Sequence, residues 1–147
     1  MKDLLAAHPL RLQVLVPQAQ SESGRRKLHI LMQACDWFEE LNLQLSFQVE
    51  KSPEIRRIIQ AYFPFPVSIE TNGFKNSQAE GLLVMDKPVF GKARTYYGCG
   101  LRLQQGEDIL FETKRINSSA IHAVLQKALK IQTAWLKEQL AGRFSKD

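Results

Sequence analysis

Cysteine is scarce, with two in 147 residues. That is too few for a disulfide scaffold, so a reducing, cytoplasmic setting is expected. Proline and glycine are sparse too, at six and eight, which excludes fibrous and low-complexity classes. No apolar run approaches the ~18 residues that cross a bilayer, and Met1-Lys2-Asp3-Leu4-Leu5 lacks the long apolar core of a signal peptide, so no membrane partner is expected. The three histidines, His8, His29 and His122, stand far apart with no metal-ligand spacing, so neither a metal nor another cofactor is implied. Neither sign of charge dominates: 20 basic residues face 15 acidic ones, for a net charge of +5. Such a balance permits a polyanionic partner without requiring one. What is abundant is apolar: 44% of the residues are hydrophobic, enough to exclude intrinsic disorder and to build one core.

No repeat, tail or linker breaks the chain, so residues 1–147 read as a single domain. Leu10 to Val16 is rich in β-formers and stopped by Pro17, and Gln18 to Gly24 is a polar loop. From Arg25 to Leu41, Leu28, Leu31, Cys35, Phe38 and Leu41 recur at helical spacing, and Asn42 stops the helix. Leu43 to Val49 alternates as a strand with one buried face. Ser52-Pro53-Glu54 starts a second helix, whose stripe is Ile55, Ile58, Ile59, Tyr62 and Phe63; Pro64 and Pro66 end it. Strands follow at Val67–Glu70, closed by an Asn72-Gly73 turn, at Gly81–Met85, and around Lys92 to Gln104. A Gln105-Gly106 turn then leads to Asp108–Lys114. Asn117-Ser118-Ser119 caps a last helix running to about Leu140. The order β-α-β-α-β-β-β-β-α predicts an α/β (α+β) two-layer architecture: a mixed sheet with helices mainly on one face.

The uncovered sheet face is the candidate working surface. Strand alternation gives it Lys92, Arg94, Tyr96, Arg102 and Lys114, cations around one aromatic ring, which suits the phosphates and bases of single-stranded nucleic acid. Arg25, Arg26 and Lys27 at a helix start add an anion-binding feature. The expected function is thus a small non-catalytic binding or accessory protein. Alternatively, the same face docks as a protein-interaction subunit of a larger complex or is covered in a homodimer, and the cations only solubilise it.

Catalytic patterns are fewer. Asp86 followed by Glu112-Thr113-Lys114 has the acid…E-x-K order of metal-dependent nucleases, in which two carboxylates hold a divalent cation and the lysine faces the attacking water. The aromatic strand of RNA-recognition motifs is a poor match for Arg94 to Leu101, because the aromatic spacing and element order differ. Val67 to Gly73 with Tyr97 to Leu103 faintly resembles the opening of a ribonuclease H core. Asn72 stands where that family carries a metal-binding aspartate, which implies a catalytically dead relative. The β-α-β-α start, with Pro66 before a strand, resembles thioredoxin-like chains, yet no cysteine lies in the Gln18 to Gly24 loop where that redox motif belongs, so redox catalysis is not expected. Cys35 falls on a helix stripe and Cys99 on a buried strand face, so both read as inert small hydrophobes.

Overall fold

The computed structural model describes residues 4–16, 19–49, 54–70, 84–89, 92–97 and 99–144, with backbone alone for 4, 6, 84–89, 92–97, 143 and 144. Strand β1 (Leu10–Val16) pairs in parallel with β2 (Leu43–Val49), from Leu10 opposite Leu43 to Val16 opposite Val49. Between them run helices α1 (Glu22–Gln33) and α2 (Cys35–Glu40). Helix α3 (Ile55–Ala61) carries the chain on to β3 (Ser68–Glu70), also parallel to β2. Strands β4 (Val84–Val89) and β5 (Lys92–Tyr97) form an antiparallel ladder of their own. The chain then returns as β6 (Gly100–Gln105), antiparallel to β1, and β7 (Asp108–Thr113), before the long helix α4 (Ser118–Phe144). The main sheet has the order β3-β2-β1-β6-β7.

The architecture is the expected mixed α/β one. Alternate residues of the strands (Leu12, Val14, Leu45, Phe47, Leu101 and Leu103) face a core shared with α1, α2, α3 and α4 through Leu28, Leu31, Phe38, Ile55, Ile59, Val124 and Ala128. All four helices therefore serve one core. Burial of each such side chain contributes roughly 1.5–3 kcal/mol, which is what holds short helices such as α2 and α3 in place.

Local chemistry sets the ends. Ser21 caps α1 by accepting from the Gly24 amide at 3.0 Å, and Asn117 caps α4 by accepting from the Ala120 amide at 2.7 Å. Asn42, with φ of 55°, makes the left-handed step from α2 into β2, a conformation asparagine tolerates better than most residues. Its side-chain amide donates to the Leu5 carbonyl and ties down the 3-10 turn Leu4–Ala7. Gly106, φ 60°, supplies the turn of the β6–β7 hairpin.

Three boundaries differ from expectation. The single helix expected over Arg25 to Leu41 begins at Glu22 and is divided at Ala34, which has φ −99° and ψ 5°. The expected strand Lys92 to Gln104 is two strands in two different ladders, parted near Gly98 and Cys99. Glycines weaken a strand because they have no side chain to pack, and Gly100 opens the second of the two strands. Asp86, expected in a loop, lies within β4 opposite Thr95. The Asn72-Gly73 turn and the Ser52-Pro53 helix start lie outside the described residues.

Candidate functional site

Arg102 does not stand on an open basic face. Gln13, Ser46, Gln48, Arg102 and Gln104, which alternate away from the helical core, are all buried, Arg102 to 4% exposure. They are engaged with one another and their neighbours. Gln13 Nε2 donates to Gln48 Oε1 at 3.0 Å, Arg11 to Ser46 Oγ at 2.9 Å, and Arg102 Nε lies 2.9 Å from Glu112 Oε1. An arginine so buried cannot meet a phosphate backbone; it neutralises Glu112 across the β6–β7 ladder. Lys92, Arg94 and Tyr96 belong to β5, outside the sheet that carries Arg102, and Lys114 is exposed just past the end of β7. The five residues do not share one strand face.

The other two expected sites dissolve as well. Because α1 starts at Glu22, Arg25, Arg26 and Lys27 fall inside its first turns rather than at a bare end. Arg26 pairs with Glu22 at 3.1 Å, Lys27 Nζ reaches Ser23 Oγ at 2.6 Å, and the Gly24 amide is taken by Ser21. For the nuclease pattern, Glu112 is held by Arg102, and Asp86 sits in the separate β4–β5 ladder. Among the described residues no group of three or more His, Cys, Asp or Glu is placed to hold a metal ion.

His8 is structural. Gln132, fully buried on α4, donates through Nε2 to the carbonyls of His8 (3.0 Å) and Leu41 (2.8 Å). Its Oε1 therefore faces His8 Nδ1, 2.6 Å away, and the other ring nitrogen, Nε2, is hydrogen-bonded with the Gln105 side-chain amide. The imidazole stacks flat on Trp135, centroids 4.6 Å apart.

The topology itself points elsewhere. From β1 the chain passes to β2 on one side and later returns as β6 on the other. In open α/β sheets such a switch, at the carboxyl ends of the parallel strands, is where ligands bind. Here that end holds the turn into α1, with Ala19 buried and Ser21 at the cap. It also holds Cys99. The β1–β6 register ends with Leu15 opposite Gly100, and Cys99 immediately precedes that last pair, near the carboxyl end of β1. Cys99 is half-buried against the edge of the core, and its thiol points to the Lys114 carbonyl at 3.7 Å. Sequence reading treats it as core filler, and its packing against the core agrees with that.

Cys35 lies at the opposite end, where α1 has run back towards the amino ends of β1 and β2. Burial and then the negative charge of Asp36, with a further push from Glu39, raise its thiol above the ordinary cysteine range despite an opposing hydrogen bond from the Asp36 backbone.

No family model and no curated protein matches the sequence. Solved structures do match in shape. The chain is similar to the Xanthomonas campestris bacterioferritin comigratory protein, studied for alkyl peroxide reduction, with a TM-score of 0.68 at 12% identity over 84% of this chain and 80% of that one. Peroxidoxin BcpB from Mycobacterium tuberculosis gives a TM-score of 0.62 at 10% identity over 88% and 84%. Copper-bound ScoI from Arabidopsis thaliana gives 0.59 at 11% identity over 88% and 89%. The chain therefore shares the mixed α/β fold of these solved structures. Together with the buried polar face, this overturns the nucleic-acid partner, the nuclease and ribonuclease H readings, and the non-catalytic accessory or docking role. No helix among the described residues is long and apolar enough to cross a membrane.

Proposed function

We propose that this chain is a thiol-dependent redox protein that reduces hydroperoxides, with Cys99 as its reacting group. Support comes from the fold and from one placement: Cys99 immediately precedes the last β1–β6 pair, Leu15 with Gly100, near the carboxyl end of β1, the switch point at which this class of sheet binds ligands. The loop before α1 offers no thiol, having Ser21, Ser23 and Gly24 near the helix start. Cys35 is the poorer nucleophile, because its raised thiol pKa keeps it protonated at neutral pH.

The step is a two-electron transfer. The Cys99 thiolate attacks the terminal oxygen of a hydroperoxide. An S–O bond forms as the O–O bond breaks, and the alkoxide leaves with a proton as the alcohol. Sulfur is oxidised to the sulfenic acid and the peroxide is reduced. A thiol of the surrounding solution restores Cys99. Such a cycle fits residues 1–147 acting as one unit in a reducing cytoplasm.

The test follows loss of an alkyl hydroperoxide in the presence of excess dithiothreitol. Wild type consumes it faster than buffer, and Cys99→Ser falls to the buffer rate with its circular dichroism unchanged. Full activity in Cys99→Ser would overturn the reading.

A further inference from the structure

We propose that two copies of this chain associate through the surface formed by α2 and α4, as a weak dimer with two-fold symmetry. That surface lies on the helical side of the molecule, apart from the buried polar sheet face, and needs no thiol chemistry. Among the described residues four large apolar side chains stand exposed, and three of them belong here: Trp37 at 58%, Leu129 at 43% and Leu140 at 45%. Trp37 and Leu41, at the end of α2, and Leu125 and Leu129 of α4 line a cleft of about 240 Å³, room for one large apolar side chain. Leu136 and Leu140 follow Leu129 at seven and eleven residues, so they continue its stripe along the same side of α4. Contiguous apolar surface with a polar rim marks an interaction site.

The rims select the occupant. Beyond Trp37 the margin is acidic: α2 carries Asp36 and Glu40 on its outer side and has no basic residue. Beyond the leucine stripe it is basic: Lys130 and Lys137, both exposed and seven residues apart, share the side of α4 turned away from α2. No ion pair among the described residues involves Asp36, Glu40, Lys130 or Lys137. A face acidic along one margin and basic along the other is complementary to itself. Turning a second copy by a half-rotation about an axis along α4 sets the acidic margin of each copy on the basic margin of the other, with the leucine stripes in contact between them. A partner of one charge sign would satisfy one margin and oppose the other. The stripe from Leu125 to Leu140 is about 22 Å long and two adjacent helices about 20 Å wide, roughly 450 Å² in projection against the ~800 Å² each partner gives a stable interface. The dimer is therefore concentration-dependent.

Sedimentation of the reduced full-length protein, from low micromolar to near-millimolar concentration, is expected to show a reversible monomer–dimer equilibrium that weakens with added salt and is the same in Cys99→Ser. Trp37→Ala and Leu129→Ala should each remain monomeric where wild type is mostly dimer, with circular dichroism unchanged. Lys130→Glu should raise the dissociation constant about ten-fold, because each change occurs twice across a two-fold interface. Adding Asp36→Lys to it should recover most of the wild-type affinity, which a misfolded variant could not do. A wild type that stays monomeric throughout would overturn the proposal and leave the face to another partner. A dimer insensitive to Trp37→Ala and Leu129→Ala would overturn it as well, since the copies then meet elsewhere. Failure of Asp36→Lys to rescue Lys130→Glu would refute the pairing of the margins.

Discussion

Replacing Gln132 with leucine removes the anchor of the amino-terminal segment. Gln132 is fully buried and makes three hydrogen bonds, to the carbonyls of Leu41 and His8 and to His8 Nδ1. A buried polar group left without a partner costs ~1–3 kcal/mol, so the stranded Leu41 carbonyl contributes about 2 kcal/mol. The two bonds to His8 are partly accessible to water and contribute roughly 0.5 kcal/mol each. The leucine buries more apolar surface than glutamine and offsets about 1 kcal/mol. The net loss is about 2 kcal/mol, a substantial part of a typical stability of ~5–15 kcal/mol. For a chain of this size that lowers the melting temperature by roughly 4–8 °C. Urea unfolding should show a lower midpoint at unchanged slope, and Gln126→Leu on the exposed side of α4 should shift neither. Amide exchange should rise at Leu10, whose N–H bonds to the Asn42 carbonyl at 3.1 Å beside this anchor. An unchanged or raised midpoint in Gln132→Leu would refute the idea that this network holds the segment down.

Two further outcomes follow from the same contacts. Because burial, Asp36 and Glu39 raise the Cys35 thiol, its thiolate is depleted at neutral pH. Peptide-resolved labelling with iodoacetamide should therefore be slow near pH 7 and accelerate as pH rises past the ordinary cysteine range; Asp36→Asn should shift that rise to lower pH. Asn117→Ala removes the acceptor for the Ala120 amide and should destabilise the chain by about 1 kcal/mol in thermal or urea unfolding, with Asn117→Ser restoring most of it.

Much of the frame was legible because it is written in local periodicity. Leu10–Val16 and Leu43–Val49 were readable as strands to the residue, since each presents alternating apolar positions between clear stops. Asn42 as a helix stop and Asn117 as a cap follow from what a short polar side chain does at a helix end. The fate of the polar strand face was not legible. Alternation assigns Gln13, Ser46, Gln48 and Arg102 to the side away from the helical core, but it does not say whether water reaches them. Arg102 seemed a ligand for phosphate because its partner, Glu112, lies on the next strand and becomes its neighbour only through the hairpin register. The strand assumed to run from Lys92 to Gln104 kept an alternation that looked continuous while its two halves joined different ladders.

What the sequence by itself determined is most of the helices and strands and which face of each meets the helical core, because propensity, capping and hydrophobic period act between residues a few positions apart. What only the tertiary structure decided is which distant residues become neighbours. Pairing β6 with β1 places Cys99 at the carboxyl end of the parallel strands, and the crossover through α1 places Cys35 at the other. Those positions depend on strand order and direction, which arise from closing one core among all the elements at once and leave no trace in the residues beside either cysteine.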